Sequence, residues 1–273
     1  MRRSSCFFGA LVLTLTLCLS ACDGAPAPSS PSPDPMSTPT ASQTPAATPT
    51  PTPPAEAENE PPVWGDQVFA RQYTAGDGAT VMTVKYTLPM VQNTDTCPAG
   101  LAINQWYKDE GQSRMSSAEE NYEMVVADYD VSAAAGLTFT PTTEEMSYTV
   151  TRQDESVISV CREWYVNGGG AYPSVFRLSE QFDAVTGAQL NFAHFFSDAD
   201  AVLEQVTDAF LAQPDLSQAV AEGALTREEI AAAVQPEDFY LTDSGYVFWI
   251  QGNTLPAVHS PVEVTLSYDA LGG

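Results

Sequence analysis

The side chains best suited to chemistry are scarce in this sequence. The only histidines are His194 and His259, and neither stands in a His-x-x-x-His or His-Glu-x-x-His spacing that would set two imidazoles on one helix face for zinc. No Gly-x-Ser-x-Gly elbow is present, so nothing signals the strained turn that exposes a serine nucleophile. Asn167-Gly168-Gly169-Gly170-Ala171 is glycine-rich, but the Gly-Lys-Ser/Thr of a phosphate cradle does not follow it, and the only lysines are Lys85 and Lys108. Thirty carboxylates follow residue 62, so some pair will stand at glycosidase separation, about 5–10 Å, by chance. Asp198 and Asp200 lack the further acids and the glycine turn of a calcium loop and read better as helix caps. No catalytic residue, metal site or cofactor is expected, and the chain reads as non-enzymatic.

Charge narrows the partners. The 273 residues carry 10 Lys and Arg against 35 Asp and Glu, a formal charge of -25 with pI near 4.1. Nucleic acid is excluded as a partner, because phosphate binding needs clustered Lys and Arg. After residue 62 the balance is 8 basic to 30 acidic residues, or -22, which steers a cationic protein inward and raises its association rate. The plainer role of such a surface is to keep an exported protein soluble.

The N-terminus supplies an address. Arg2 and Arg3 precede an apolar run from Cys6 to Leu19 that is too short for a stable membrane span and reads as an export signal over residues 1–21. Leu19-Ser20-Ala21-Cys22 resembles the lipobox of bacterial lipoproteins, which implies a diacylglyceryl group on Cys22 and anchoring at the extracytoplasmic face of the cell membrane. Residues 24–62 hold 13 of the 21 prolines, with 7 Ala, 6 Thr and 5 Ser, and no aromatic, Val, Ile or Leu. Such a segment cannot build a core and is expected to form an extended stalk, at about 3.1 Å per residue. Its Thr and Ser are also open to O-glycosylation.

Removing the signal and lipidating Cys22 leaves Cys97 and Cys161. Outside the cytoplasmic membrane the economical expectation is a disulfide between them, closing a loop of about 65 residues and adding roughly 4 kcal/mol in the chain-entropy picture. The alternative makes one of them a reactive thiol, although no nearby histidine supports a nucleophile.

The elements that must carry any site begin after Pro62. Segments 67–73 and 80–88 flank Ala75-Gly76-Asp77-Gly78 and read as a hairpin. Residues 99–131 carry helix formers at helical spacing, either as one long helix or as two broken near Gly111. Strand alternation marks 146–152, 156–166, 174–182 and 190–192, the last pair joined by a turn at 183–187. Ser197 or Asp198 caps a helix containing Val202 to Leu211, and Thr226 with Glu229 forms a capping box for another over 226–234. Segments 239–241, 246–251 and 261–268 close the chain as strands. Runs of like elements point to an α+β fold with a mostly antiparallel sheet. The aromatics Trp106, Tyr107, Trp164, Tyr165, Tyr172, Tyr240 and Trp249 could stack on sugars, but their spacing reads as core. Tyr172, beside the glycines, is the least core-like.

One block resembles a known family. Ile158-Ser159-Val160, Glu163-Trp164-Tyr165, Gly169-Gly170-Ala171-Tyr172-Pro173, Phe182-Asp183 with Thr186-Gly187, and Phe192 to Phe196 are similar to the extracellular domain of RsiV-type anti-sigma factors, a domain of unknown function in most proteins that carry it. Phe239 to Phe248 and Val262 to Leu266 resemble its C-terminal strands. Val84 to Pro89 with Ile103-Asn104 is similar to the small module that precedes it, also attached to PdaC-type peptidoglycan deacetylases. The resemblance implies a module at 63–140 and an RsiV-like domain at 141–273, without the sigma-binding segment or the deacetylase domain with its metal-binding residues. Tyr172 stands where the family pattern usually has histidine. It also implies a partner, because the RsiV extracellular half binds lysozyme, a basic protein.

The sequence thus leads to a lipid-anchored, non-catalytic binding domain for a cationic wall-active protein such as lysozyme, acting as decoy or sensor. The expected recognition loop is Asn167, Gly168, Gly169, Gly170, Ala171, Tyr172 and Pro173, because successive glycines let backbone approach a partner closely. The alternative is an accessory that binds cell-wall glycan in an aromatic groove.

Overall fold

A computed structural model describes residues 60–272 apart from Ala171 and Ala257. The expected export signal, Cys22 and the stalk up to residue 59 lie outside the described residues. Strands β1 (Trp64–Thr74) and β2 (Thr80–Val91) form the anticipated antiparallel hairpin. Its turn is set by Asp77, whose carboxylate accepts from Ala79 N at 3.0 Å, and by Gly78 at φ +90°.

Helix α1 (Ala99–Ala134) then runs unbroken for 36 residues and returns the chain to β3 (Thr142–Gln153), which pairs parallel to β2. A parallel pair needs such a crossover, and this is the parallel step in an otherwise antiparallel sheet. Strands β4 (Val157–Asn167), β5 (Ser174–Asp183) and the short β6 (Gln189–Leu190) complete six strands in sequence order. Gly111 does not break α1, because the Phe69 ring occupies the space a side chain would need, 2.2 Å from an ideal Cβ.

The register gives the sheet two ends. Glu60 to Val63 bond to Thr96 and Asn93 at one end, beside the start of α1 and the β3–β4 turn. The β1–β2 turn, the last turns of α1, where Tyr129 donates to Asp77 at 2.7 Å, and the β4–β5 connection lie at the other.

One face of the sheet packs on α1. Val84, Tyr86, Leu88, Met146, Ile158, Val160 and Phe182 meet Ile103 and Tyr107 there. The opposite face of β4, carrying Val157, Ser159 and Cys161, turns toward a second layer. That parity decides the cysteines. Cys97 belongs to the α1-side core, whereas Cys161 points out of the other face, so both are buried free thiols and the expected disulfide is not formed. Burial pushes the Cys161 thiol up to about 12, opposite to what a reactive nucleophile needs.

The second layer begins at Phe192, where the chain enters a helical turn, α2 (Phe192–Phe195), so the strand expected over 190–192 ends at Leu190. Asn191 caps that turn through His194 N, and the Phe192 N–H donates to both Glu237 oxygens at 3.1 Å. Helix α3 (Ala199–Leu211) is capped by Asp198, whose side chain accepts from Ala201 N. Helix α4 (Pro214–Ala221), with proline at its first turn, has no counterpart in the sequence reading. Helix α5 (Arg227–Ala233) carries the anticipated Thr226/Glu229 capping box. Strands β7 (Phe239–Thr242), β8 (Gly245–Ile250) and β9 (Val262–Leu266) form a separate antiparallel sheet in the order β7-β8-β9. An aromatic cluster of Phe192, Phe195, Phe196, Phe239, Tyr246 and Phe248 joins helices and sheet. Both layers are bound by polar contacts: Gln181 donates to Phe239 O at 2.9 Å, and Leu241 N donates to Ser159 Oγ at 2.9 Å.

Asp238, at the start of β7, is half-buried, and burial alone pushes its carboxyl up to about 6. An unfolded aspartate titrates near 3.9, so the folded state holds the proton more tightly, and stability contributed below about pH 4 is lost as pH rises through about 6. Asp238→Asn should therefore raise stability at pH 7.5 by about 1 kcal/mol, after discounting for partial exposure, and leave it unchanged at pH 4. Thermal melts at the two pH values test this, and equal gains at both would contradict the assigned titration.

Candidate functional site

The expected recognition loop is the β4–β5 connection. Asn167 opens it by accepting from Gly169 N at 3.0 Å, and Gly169 takes φ +80°, a conformation that favours glycine. An ideal Cβ at Gly169 would stand 3.2 Å from Thr140 O, so the loop lies against the segment that leaves α1. Gly168, Gly170 and Pro173 are exposed, Ala171 lies outside the described residues, and Tyr172 is 88% exposed, the largest value among the exposed large apolar side chains. Of the other aromatics singled out in the sequence, Tyr107 and Trp249 are core, while Trp106, Trp164, Tyr165 and Tyr240 are half-buried. Trp164 is covered by the Arg114 guanidinium, 4.6 Å from the ring centroid.

A second surface emerges from the sheet itself. Away from α1, register sets Lys85, Glu145, Tyr165 and Val175 side by side across four strands, and they line a shallow cleft of about 340 Å³. It adjoins a cleft of about 240 Å³ lined by Ser147, Thr149, Cys161, Glu163, Arg177 and Tyr240. Arg177 spans Glu163, at 3.0 Å, and Glu263 on β9. The chemistry offered is hydroxyls, carboxylates, the Lys85 ammonium and two half-buried tyrosine rings, with its arginine already neutralised by acids. Among the described residues no group of three or more His, Cys, Asp and Glu could hold a metal ion.

The electrostatics of the molecule are one-sided for a structural reason. All six arginines after residue 62 lie within 4.0 Å of carboxylates: Arg71 with Glu119, Arg114 with Glu110, Arg152 with Asp154, Arg162 with Glu110 and Glu180, Arg177 with Glu163 and Glu263, and Arg227 with Glu204 and Asp208. Eight carboxylates are used in this way, which leaves 22 of the 30 with no cationic partner among the described residues. Two of the pairs, Glu110 with Arg114 and Arg152 with Asp154, are local in sequence, whereas the others join residues up to 86 positions apart and carry no sequence signal.

Among the described residues no helix is long and apolar enough to cross a membrane. No family model matches the chain, and no curated protein matches it. Two solved structures are similar to it. A DUF3298-family protein from Pseudomonas aeruginosa PAO1 is 12% identical, with TM-score 0.45, over 79% of this chain and 95% of that one. A member of the DUF3298 family from Bacteroides fragilis NCTC 9343 is also 12% identical, with TM-score 0.55, over 76% of this chain and 91% of that one. The described domain therefore shares its fold with a DUF3298 protein.

Proposed function

We propose that this chain is a lipid-anchored, extracytoplasmic binding protein, without catalytic activity, whose folded domain captures a cationic wall-active protein such as lysozyme. The observation that carries this reading is the charge arrangement. Each arginine is engaged in an ion pair within the chain, so among the described residues 22 unpaired carboxylates face only two unpaired lysines, Lys85 and Lys108, and the net field attracts a basic partner from a distance. The resemblance to RsiV-type extracellular domains supports the same partner. The geometry of display agrees with it, since the chain enters the domain at one end of the sheet and the glycine loop with Tyr172 lies at the other.

The test is calorimetric titration of the full chain, in detergent micelles, with hen lysozyme at about 50 and 300 mM salt, conditions that differ in screening length by more than twofold. One-to-one, sub-micromolar binding that persists at the higher salt is expected. Binding that vanishes at the higher salt would reduce the acidic surface to a generic solubilising role.

The paired clefts on the open sheet face favour a second reading, a cell-wall glycan accessory. Tyr165 and Tyr240 beside Ser147 and Thr149 offer ring faces and hydroxyls to a saccharide. Titration with a soluble chitin oligosaccharide separates the two, because stacking on neutral sugar barely responds to salt.

A further inference from the structure

Large apolar side chains are exposed at eight positions among the described residues, and four of them gather at the end of the sheet far from Glu60: Met124, Val131, Leu137 and Tyr172. Met124 and Val131 are two helical turns apart on α1 and share one face, with exposures of 62% and 69%. The helix then ends in a Schellman motif, in which Gly136 at φ +66° donates to Ala133 O at 3.1 Å and Leu137 N donates to Ser132 O at 2.9 Å. That motif folds the residue after the glycine back onto the last turns, which continues the stripe from Val131 to Leu137, itself 67% exposed. The loop bearing Tyr172 is fixed beside the same segment through the approach of Gly169 to Thr140.

The inward face of this helical stretch is already occupied. Tyr122 donates to Thr74 O, Tyr129 donates to Asp77, and the Tyr129 and Phe139 rings meet edge to face at 5.2 Å. Met124, Val131 and Leu137 are therefore surplus to the packing of α1. Their setting is predominantly acidic, with Arg71 reaching in from β1 to Glu119. Residues 115–151 contain seven carboxylates and no Lys, Arg or His. Glu120 and Asp128, one turn either side of Met124, flank the stripe and are exposed.

We infer that this stripe, with Tyr172 at its margin, is the docking surface for the basic partner, which would insert apolar side chains ringed by Lys or Arg. Charge decides between occupants. A second copy of a domain with a formal charge of -22 would bring Glu120 and Asp128 against their own kind, whereas a basic protein pairs with them. The anatomy is that of an interface with apolar anchors and a charged rim. The inference rests on the cationic-partner reading and names the surface it uses, which extends beyond the glycine loop to α1.

The experiment compares the full chain in detergent with the variant Val131→Ser/Leu137→Ser, in which exposed side chains are trimmed without changing charge, against hen lysozyme as probe. The variant should unfold at the same denaturant midpoint and bind about tenfold more weakly or worse, with an unchanged salt dependence. A second variant, Glu120→Gln/Asp128→Asn, should flatten the salt dependence and slow association. Wild-type affinity in the first variant, with lysozyme still bound by the parent chain, overturns the surface and leaves the partner standing. Absence of lysozyme binding by the parent chain overturns the partner, and the surface with it.

Discussion

Replacing Arg162 by methionine is expected to cost about 3–5 kcal/mol of folding stability, measured as a fall in the denaturant midpoint. Arg162 lies on β4, facing α1, and its side chain is only 2% exposed. Its Nε donates to both oxygens of Glu180 on β5 at 3.1 Å, Nη2 closes on the same carboxylate, and Nη1 reaches Glu110 on α1 at 3.0 Å. Tyr107 donates its hydroxyl to Glu180 at 3.0 Å from the same helix. Burial lowers the affinity of the guanidinium for its proton, but Glu180, with Tyr107 and Glu110, more than restores it, so Arg162 stays charged. Methionine would leave Glu180 as a buried carboxylate with one donor.

The cost should itself depend on pH. Without its guanidinium partner Glu180 takes up a proton in the folded state above its unfolded pKa, so the variant recovers stability as pH falls and loses it as pH rises. The double variant Arg162→Met/Glu180→Gln should regain more than half of the loss at neutral pH, because no unpaired buried charge remains. If the single and double variants are equally unstable, the packing of the long side chains and not their charge holds α1 in register.

Nothing in the sequence marked Arg162. In Val-Cys-Arg-Glu-Trp an arginine and a glutamate stand on opposite faces of the strand with nothing local to say which is buried, and only Glu180, 18 residues later and one strand over, provides the partner that keeps Arg162 inside. Cys161 fails to be legible for the same reason. Because β4 is covered on both faces near its start, Val157 to Cys161 is buried throughout, and the strand alternation read over 156–166 did not say which face the cysteine shares with Cys97. Local signals fared better. The Ala75 to Gly78 turn, the Asp198 cap and the Thr226/Glu229 box depend on residues a few positions apart, and each lies where the sequence placed it. Gly111 shows the limit of such signals: glycine weakens a helix by about 1 kcal/mol, yet here it is the slot that admits the Phe69 ring. Pro214, in the first turn of α4, starts that helix without marking it strongly enough to be read from sequence. Of the candidate surface, the glycine loop was visible as a loop, whereas the apolar stripe was not. Met124 and Val131 resemble core residues until the tertiary structure shows which face of α1 the sheet has taken.

Gly187→Ala should cost about 2–5 kcal/mol, the second large effect, and it separates structure from recognition in the motif that carried the family resemblance. Asp183 organises that turn by accepting from Val185 N at 3.1 Å and from the Thr186 amide and hydroxyl at 2.7 and 2.8 Å, which also holds its carboxyl below the usual range. Gly187 then takes φ +71° and rests on the start of α1, where an ideal Cβ would lie 2.4 Å from Ala99 O and 2.9 Å from Ala102 Cβ. Alanine there incurs a left-handed backbone penalty of about 1–2 kcal/mol and an overpacking penalty of about 1–3 kcal/mol against backbone that cannot move without shifting α1. Gly78→Ala is the control, because Gly78 also has positive φ but nothing within 4 Å of its ideal Cβ, so it should incur only the backbone penalty. A difference in denaturant midpoint between the two variants measures the docking of the turn on α1, and equal losses would mean that the turn is strained but not docked. Since Gly187 lies at the end of the sheet where the chain enters, far from Tyr172, the folded fraction of the variant should bind hen lysozyme with parental affinity. The Asp-x-x-Thr-Gly motif would then be the clasp that fixes α1 against the sheet, and recognition would be left to the opposite end.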